Sequence, residues 1–173
     1  MNYLEFKIPI KKNAEWFVTL RHAMASEGIP VKWESGSFHI TAVFIYDDQP
    51  VEELKSAFSR CLTARKVPSL TLDKLDAFTT KNDIIVNVTA SQLSESLAAL
   101  IEEVRSEAAN RNVDMRRSFI LHITLGRIDM AAANLPMVKK IIDSIAVPAF
   151  TLYIKKANYR YKGGKIIQTW QMD

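Results

Sequence analysis

The chain has 173 residues, of which 48% are hydrophobic and 24% are charged, and this suits one globular domain that buries a core. The sequence has no apolar run of about 18 residues, which excludes a membrane-spanning helix, and its single cysteine excludes an internal disulfide framework. The first residues lack the pattern of a signal peptide, so we expect a cytoplasmic protein with no membrane partner. We also expect a monomer. The net charge of +4 is compatible with an anionic ligand.

Strand and helix patterns alternate through the first half of the chain. The predicted elements are a strand over 3–8, a helix over about 14–27 capped by Asn13, a strand over 37–46, a helix that begins after Asp47 or Asp48, and a strand over 69–78. The apolar stripe of the first helix is Trp16, Phe17, Leu20 and Met24, with His22 on the solvent side. In the strand over 37–46, strict alternation places Phe44 on the same face as Phe38 and Ile40.

The second half repeats the same order of elements. It predicts a strand over 83–88, a long helix capped by Ser91, a strand over 119–128, a helix capped by Asn134, and strands over 150–154 and 165–171 separated by a Gly163-Gly164 turn. We therefore interpret the chain as a single domain made of a duplicated unit. Its two lobes are expected to comprise about residues 1–80 and 81–173.

The tripeptide His-Ile-Thr occurs once in each half, at 39–41 and at 122–124. Side chains on a strand alternate between its faces, so His39 and Thr41 point to one side, and His122 and Thr124 do the same on their strand. Since a duplicated unit places equivalent strands about a pseudo-twofold axis, we expect the two histidines to face each other across a cleft.

Two imidazoles and two hydroxyls on opposite walls suit the hydrolysis of a phosphodiester. One histidine would act as the base for water and the other as the acid for the leaving oxygen, while the hydroxyls donate to the non-bridging oxygens. The sequence has too few histidines and cysteines for an obvious metal centre, and it lacks the glycine-rich phosphate-binding loops and the G-x-S-x-G nucleophile motif. We therefore predict no metal and no cofactor.

These motifs resemble those of the 2H phosphoesterases, and in particular the bacterial RNA 2′,3′-cyclic phosphodiesterase or 2′-5′ RNA ligase-like branch. The matching stretches are Lys32-Trp33 before Phe38-His39-Ile40-Thr41, then His122-Ile123-Thr124-Leu125-Gly126-Arg127, then Leu152-Tyr153. The resemblance implies an α+β fold of two pseudo-symmetric lobes, each a mainly antiparallel sheet with helices outside, around a central cleft. It also implies metal-independent chemistry on an RNA end or a small nucleotide that carries a 2′,3′-cyclic phosphate or a 2′-5′ phosphodiester.

The resemblance further suggests His122 as the base and His39 as the acid, with Tyr153, Lys155 and Arg127 as substrate-binding residues. Lys155 departs from the family, which commonly has a small hydroxyl residue there; it either adds charge near the phosphate or is a solvated lysine. By strict alternation Arg127 falls on the opposite face from His122, which favours a structural role. A 2′-5′ RNA ligase using the same groups in reverse, and a non-catalytic RNA- or nucleotide-binding module, remain the alternative functions.

Overall fold

The computed structural model describes residues 1–46, 50–116 and 121–173. These residues form ten strands and four helices in one hydrophobic core. In chain order they are β1 Asn2–Lys7, α1 Glu15–Ser26, β2 Lys32–Trp33, β3 His39–Ile45, α2 Val51–Leu62, β4 Ser69–Leu72, β5 Lys74–Thr79, β6 Asp83–Thr89, α3 Glu95–Ala109, β7 Ile123–Asp129, α4 Leu135–Asp143, β8 Phe150–Tyr153, β9 Lys156–Tyr161 and β10 Ile166–Gln171.

The strands form two four-stranded antiparallel sheets and one two-stranded antiparallel sheet. The first sheet has the strand order β10-β9-β1-β3 and the second sheet has the order β2-β7-β6-β5, while β4 pairs with β8. Helices α2 and α3 pack on the first sheet, and α4 packs on β5 of the second sheet and against α1. The predicted α+β fold of two sheets with outer helices is confirmed.

Each large sheet takes strands from both halves of the chain, so the sheets are not divided at residue 80. The first sheet combines β1 and β3 with the C-terminal strands β9 and β10, and the second combines β2 and β5 with β6 and β7. The expected division into 1–80 and 81–173 is therefore wrong for the sheets. Antiparallel pairing needs only two strands side by side in space, and the last hairpin returns to pair with the first strand.

Several element boundaries differ from the predictions. The stretch 69–78 breaks at Asp73 into β4 and β5, which belong to different sheets, and the strands β2 and β9 were not predicted. Helix α3 is capped by the Ser94 hydroxyl instead of Ser91, and Ala14 instead of Asn13 precedes α1. The predicted caps Asp47 and Asp48, and the first residues of the predicted strand over 119–128, lie outside the described residues.

Other local predictions are confirmed. The Asn134 side chain accepts a hydrogen bond from the Met137 amide at 3.0 Å and so caps α4. The apolar stripe of α1 is buried and His22 is exposed. The Phe17 ring meets the rings of Trp33 and Phe38 edge to face, with centroids 5.6 Å and 5.9 Å away, and thereby joins α1 to β2 and to the residue before β3.

Within the described residues, no helix combines the length and the apolar character needed to cross a membrane. The longest of them, α3, has charged residues along its exposed side.

Candidate functional site

The first His-Ile-Thr tripeptide lies on β3, at the edge of the first sheet. His39 is opposite Lys7 of β1, and Thr41 is opposite Glu5, so these four side chains share one face of the sheet. Ile40 is opposite Phe6 on the other face, where both are buried in the core. The His and Thr of the motif are therefore presented by a strand whose other side is anchored by apolar packing.

The alternation of β3 is interrupted directly after the motif. Ala42 is an extra residue between two paired positions, which is a β-bulge. Beyond it the faces reverse, so Val43 is fully buried and the Phe44 ring stacks on Tyr3 with centroids 5.9 Å apart. The prediction that Phe44 faces the core with Ile40 is therefore wrong, because it assumed an uninterrupted strand.

The second tripeptide, on β7, has the same irregularity at the same place. Thr124 is opposite Asn87 of β6, and the next pair joins Gly126 to Val86, so Leu125 is the extra residue. Both threonines thus precede a bulge, and both are opposite a buried polar side chain, Glu5 in one sheet and Asn87 in the other. The two motifs therefore share a local backbone conformation, a strand with a β-bulge directly after the threonine, as well as a sequence.

The bulge in β7 also changes the position of Arg127. Arg127 is opposite Ile85 and Thr124 is opposite Asn87, and residues 85 and 87 lie on one face of β6, so Arg127 and Thr124 share a face of the second sheet. The prediction from strict alternation placed Arg127 on the opposite face and is wrong. The Arg127 side chain is 51% exposed, and its guanidinium lies 3.8 Å from the Asp83 carboxylate.

His122 lies just before β7 and is half-buried. Its imidazole meets the Phe78 ring of β5 edge to face, with centroids 4.9 Å apart. The preceding Leu121 carbonyl accepts a hydrogen bond from the Thr89 hydroxyl at 3.1 Å, which ties this end of the strand to β6. Although β3 and β7 belong to different sheets, the two strands contact each other.

A buried carboxylate, Glu5, lies beside His39 and was not identified in the sequence. Its Oε1 atom is 2.9 Å from the Lys7 ammonium and 3.5 Å from the Arg160 guanidinium, and it accepts a hydrogen bond from the Asn158 amide at 3.1 Å. Its Oε2 atom lies 3.6 Å from Nδ1 of His39. Alternation along the first strand places Glu5 and Lys7 on the same face, which the sequence could show. Nothing in the sequence indicated that this strand pairs with β3.

The charges on this face act on both titrating groups. Burial alone raises the pKa of the Glu5 carboxyl, but the hydrogen bonds from Lys7 and Asn158 and the charges of His39 and Lys7 outweigh it, so this pKa lies below its usual value. Burial lowers the pKa of the His39 imidazole below its usual value. The Glu5 carboxylate opposes that shift and the Lys7 ammonium adds to it.

A groove of about 630 Å³ opens beside the first motif. Its lining includes Lys7, Phe38, Tyr153, Lys155 and Lys156. Lys7 is the cross-strand neighbour of His39, so the groove adjoins the first histidine. Tyr153 and Lys155, both predicted to bind substrate, line this groove, and the Tyr153 side chain is 57% exposed. Lys7 and Lys156 add positive charge that the sequence predictions did not include.

In residues 1–46, 50–116 and 121–173, no three histidine, cysteine or acidic side chains come together in a way that could hold a metal ion. The one cysteine, Cys61, is buried beside α3, where burial and the nearby Glu103 carboxylate raise the pKa of its thiol to about 11. The described residues that carry candidate chemistry are the histidines, the hydroxyls and the surrounding cations.

Solved structures with this fold include two of *Escherichia coli* LigT, and they match nearly the whole chain. The LigT structure complexed with 3′-AMP is 19% identical with a TM-score of 0.61, over 99% of this chain and 97% of that one. The LigT structure complexed with NADP⁺ is 18% identical with a TM-score of 0.60, over 99% and 98%. The structure of *Kluyveromyces marxianus* Usb1 is 11% identical with a TM-score of 0.60, over 98% and 97%.

A search of curated proteins found no match. The family model of the 2′-5′ RNA ligase superfamily matches residues 32–158, which include both His-Ile-Thr tripeptides and the groove residues Tyr153, Lys155 and Lys156. This match extends over more than half of the chain and agrees with the fold and with the paired motifs. The chain belongs to the 2′-5′ RNA ligase superfamily of 2H phosphoesterases.

Proposed function

We propose that this protein is a metal-independent phosphodiesterase that hydrolyses a 2′,3′-cyclic phosphate or a 2′-5′ phosphodiester of RNA or of a nucleotide. The observation that carries the proposal is the matched pair of motifs: each His-Ile-Thr ends at a β-bulge, and each threonine is opposite a buried polar residue. The contact between β3 and β7 brings the two motif strands together.

The chemistry assigns complementary tasks to the two histidines. His122 takes a proton from the attacking water while His39 gives a proton to the leaving oxygen, which is the balance that in-line displacement at phosphorus requires. Thr41 and Thr124 donate hydrogen bonds to the non-bridging oxygens, where negative charge grows in the transition state. The neutral form of an imidazole is well populated near pH 7, so one histidine can start neutral and the other protonated.

The groove supports a nucleotide or an RNA end as the substrate. Tyr153 offers an exposed ring on which a base or a sugar can pack, and Lys7, Lys155 and Lys156 supply positive charge for a phosphate. On the face of the second sheet that carries Thr124, Arg127 adds a further exposed cation. The *E. coli* LigT structures with 3′-AMP and NADP⁺, which share this fold, are consistent with a nucleotide ligand.

The test is a screen of 2′,3′-cyclic nucleotides, 2′-5′ dinucleotides and cyclic-phosphate-ended RNA in buffer containing EDTA. His39→Ala and His122→Ala should each reduce the rate about 10²–10⁴-fold, and the double variant should lose less than the product of the two because the pair acts as a unit. The rate of the unmodified enzyme should depend on pH as a bell. His22→Ala, which removes the exposed third histidine, is the matched control and should retain full activity.

The superfamily name favours a second candidate function, that of a 2′-5′ RNA ligase that uses the same groups in the reverse direction. RNA fragments ending in a cyclic phosphate and in a 5′-hydroxyl should be included in the screen for that reason. Joined product in excess of cleaved product would favour the ligase. Nucleotide binding without turnover of any substrate would favour a binding module, and hydrolysis that survives loss of either histidine would refute the two-histidine mechanism.

A further inference from the structure

The Glu5 carboxylate uses its two oxygens very differently. Three donors surround Oε1, namely the Lys7 ammonium, the Arg160 guanidinium and the Asn158 amide. Oε2 is buried and accepts no hydrogen bond from the described residues, and it lies 3.6 Å from Nδ1 of His39. One oxygen therefore holds the carboxylate in place while the other is directed at the imidazole.

Burying a carboxylate oxygen without a hydrogen-bond donor costs free energy, and a hydrogen bond from His39 would reduce this cost. Burying a charge is tolerated when it is paired and hydrogen-bonded, and a carboxylate side chain with 0% exposure satisfies this only in part here. Nδ1 of His39 lies just beyond hydrogen-bond distance of this oxygen.

We propose that Glu5 is the positioning residue of His39: its Oε2 accepts a hydrogen bond from Nδ1–H, so that Nε2 is the nitrogen left to exchange a proton with the substrate. The carboxylate also opposes the burial that lowers the pKa of His39, and in that way it favours the protonated imidazole that a general acid needs. This inference rests on the proposed function for its catalytic meaning, but the contact it describes exists in the free protein.

The carboxylate is a feature of the first motif. At the corresponding place in the second sheet, opposite Thr124, stands Asn87, a neutral side chain that is 1% exposed. Both polar atoms of its amide, Oδ1 and Nδ2, lack hydrogen-bond partners within the part of the chain that the structure describes. The two sheets therefore place a charge opposite Thr41 and a neutral dipole opposite Thr124, so the symmetry of the motifs does not extend to their electrostatics.

Other groups also act on the His39 imidazole and must be separated from Glu5. The Lys7 ammonium lowers the pKa of His39, whereas the Glu34 carboxylate and a hydrogen bond with the Ser37 backbone raise it. The Tyr3 ring stacks beside the imidazole with centroids 6.2 Å apart. The backbone hydrogen bond at Ser37 is the main competitor, because it is present whatever stands at position 5.

The experiment is an NMR titration of the ¹⁵N-labelled imidazoles in the full chain without substrate, with His39→Ala used to assign the His39 signals. Glu5→Gln keeps the shape of the side chain and removes its charge. We expect the pKa of His39 to fall in this variant and its Nδ1–H tautomer to become less populated. Glu107→Gln, which neutralises a carboxylate that pairs with Arg60 and Arg111 away from the histidine, should leave both readouts unchanged.

A second variant keeps the test decisive if Glu5→Gln does not fold. Glu5→Asp keeps the charge but draws the carboxylate away from the imidazole, so the Nδ1–H tautomer of His39 should become less populated. An unchanged titration and tautomer in Glu5→Gln would overturn the proposal and assign the orientation of His39 to the Ser37 backbone. If only Glu5→Asp folds, an unchanged tautomer population of His39 in that variant would overturn it.

Kinetic measurements then test whether the Glu5–His39 contact matters for turnover, and they keep this question separate from the proposed phosphodiesterase function. Glu5→Gln should lower kcat about 10- to 100-fold with little change in KM, and Glu5→Asp, which keeps the charge, should recover part of both the rate and the pKa. If no substrate is turned over, the NMR result still decides whether Glu5 positions His39. Unchanged kcat with a shifted titration would show that the contact exists but does not support catalysis, and would overturn its catalytic meaning.

Discussion

Gly126, two residues after the second His-Ile-Thr tripeptide, is packed so closely that a side chain would not fit there. It lies opposite Trp33 of β2, and a Cβ atom built on it would be 2.7 Å from Cγ1 of Val31 and 2.9 Å from Cε3 of Trp33. The carbonyl oxygen of Lys32 would be 3.3 Å away. Gly126→Ala must therefore push β2 away from β7, at the strand that places Lys32 beside Arg127.

Two opposing terms set the size of the effect. Forcing an extra methyl into a packed site costs about 1–3 kcal/mol, whereas replacing glycine by alanine reduces the entropy of the unfolded chain and returns about 0.4–1 kcal/mol. The clash dominates because two of the three contacts are shorter than 3.0 Å. We expect the free energy of unfolding to fall by about 1–2 kcal/mol, and Tm to fall by about 2–8 °C for a chain of this size.

The measurement is urea unfolding followed by circular dichroism, with a thermal scan on the same samples. Gly36→Ala is the matched control, because the nearest atom to its new Cβ is a Glu34 side-chain oxygen at 3.4 Å, and it should change stability by less than about 0.5 kcal/mol. Adding Val31→Ala to Gly126→Ala removes the closest clashing atom and should restore part of the loss. A Gly126→Ala protein as stable as the wild type would refute the steric argument.

Three further expectations follow from the described side chains. Tyr153→Ala should weaken nucleotide binding by about 1–3 kcal/mol in calorimetry, whereas Tyr161→Ala, outside the groove, should not; equal affinities would remove Tyr153 from the binding surface. The Cys61 thiol, buried with its pKa raised to about 11, should react slowly with a thiol reagent at pH 8 and rapidly once urea unfolds the chain; fast reaction of the folded protein would contradict its burial. Because the folded-state pKa of Glu5 is lowered, its stabilising contribution is present above the pKa of an unfolded glutamate and is lost as pH falls through the folded value. Unfolding free energies measured from pH 6 to pH 3 should therefore fall more steeply in the wild type than in Glu5→Gln, and parallel profiles would refute this.

The periodic segments were predictable because their signals are local. The buried stripe of α1 and the cap at Asn134 depend on residues three or four positions apart, and both agree with the structure. The His-Ile-Thr repeat was equally visible, since a strand places residues two positions apart on one face whatever the strand pairs with. The family followed from the same residues.

The bulges after Thr41 and Thr124 could not be found by counting. A bulge arises where two paired strands fall out of step, so it is a property of the pair β1–β3 or β6–β7 and not of either strand. Alternation counted through those positions gave the wrong face for Phe44 and for Arg127. The same limit applies to the missed β2, whose two residues are too few to show any periodicity.

By itself the sequence determined the repeated motif, the helical stripes and the type of chemistry that two histidines and two hydroxyls can perform. Only the tertiary structure decided which strands share a sheet, and with that the partners of each motif. Glu5 lies 34 residues before His39 in the chain, and the Asn158 and Arg160 side chains that hold it lie near the other end. Electrostatic and hydrogen-bond partners are fixed by distance in space, which pairing between distant strands sets and local sequence does not encode.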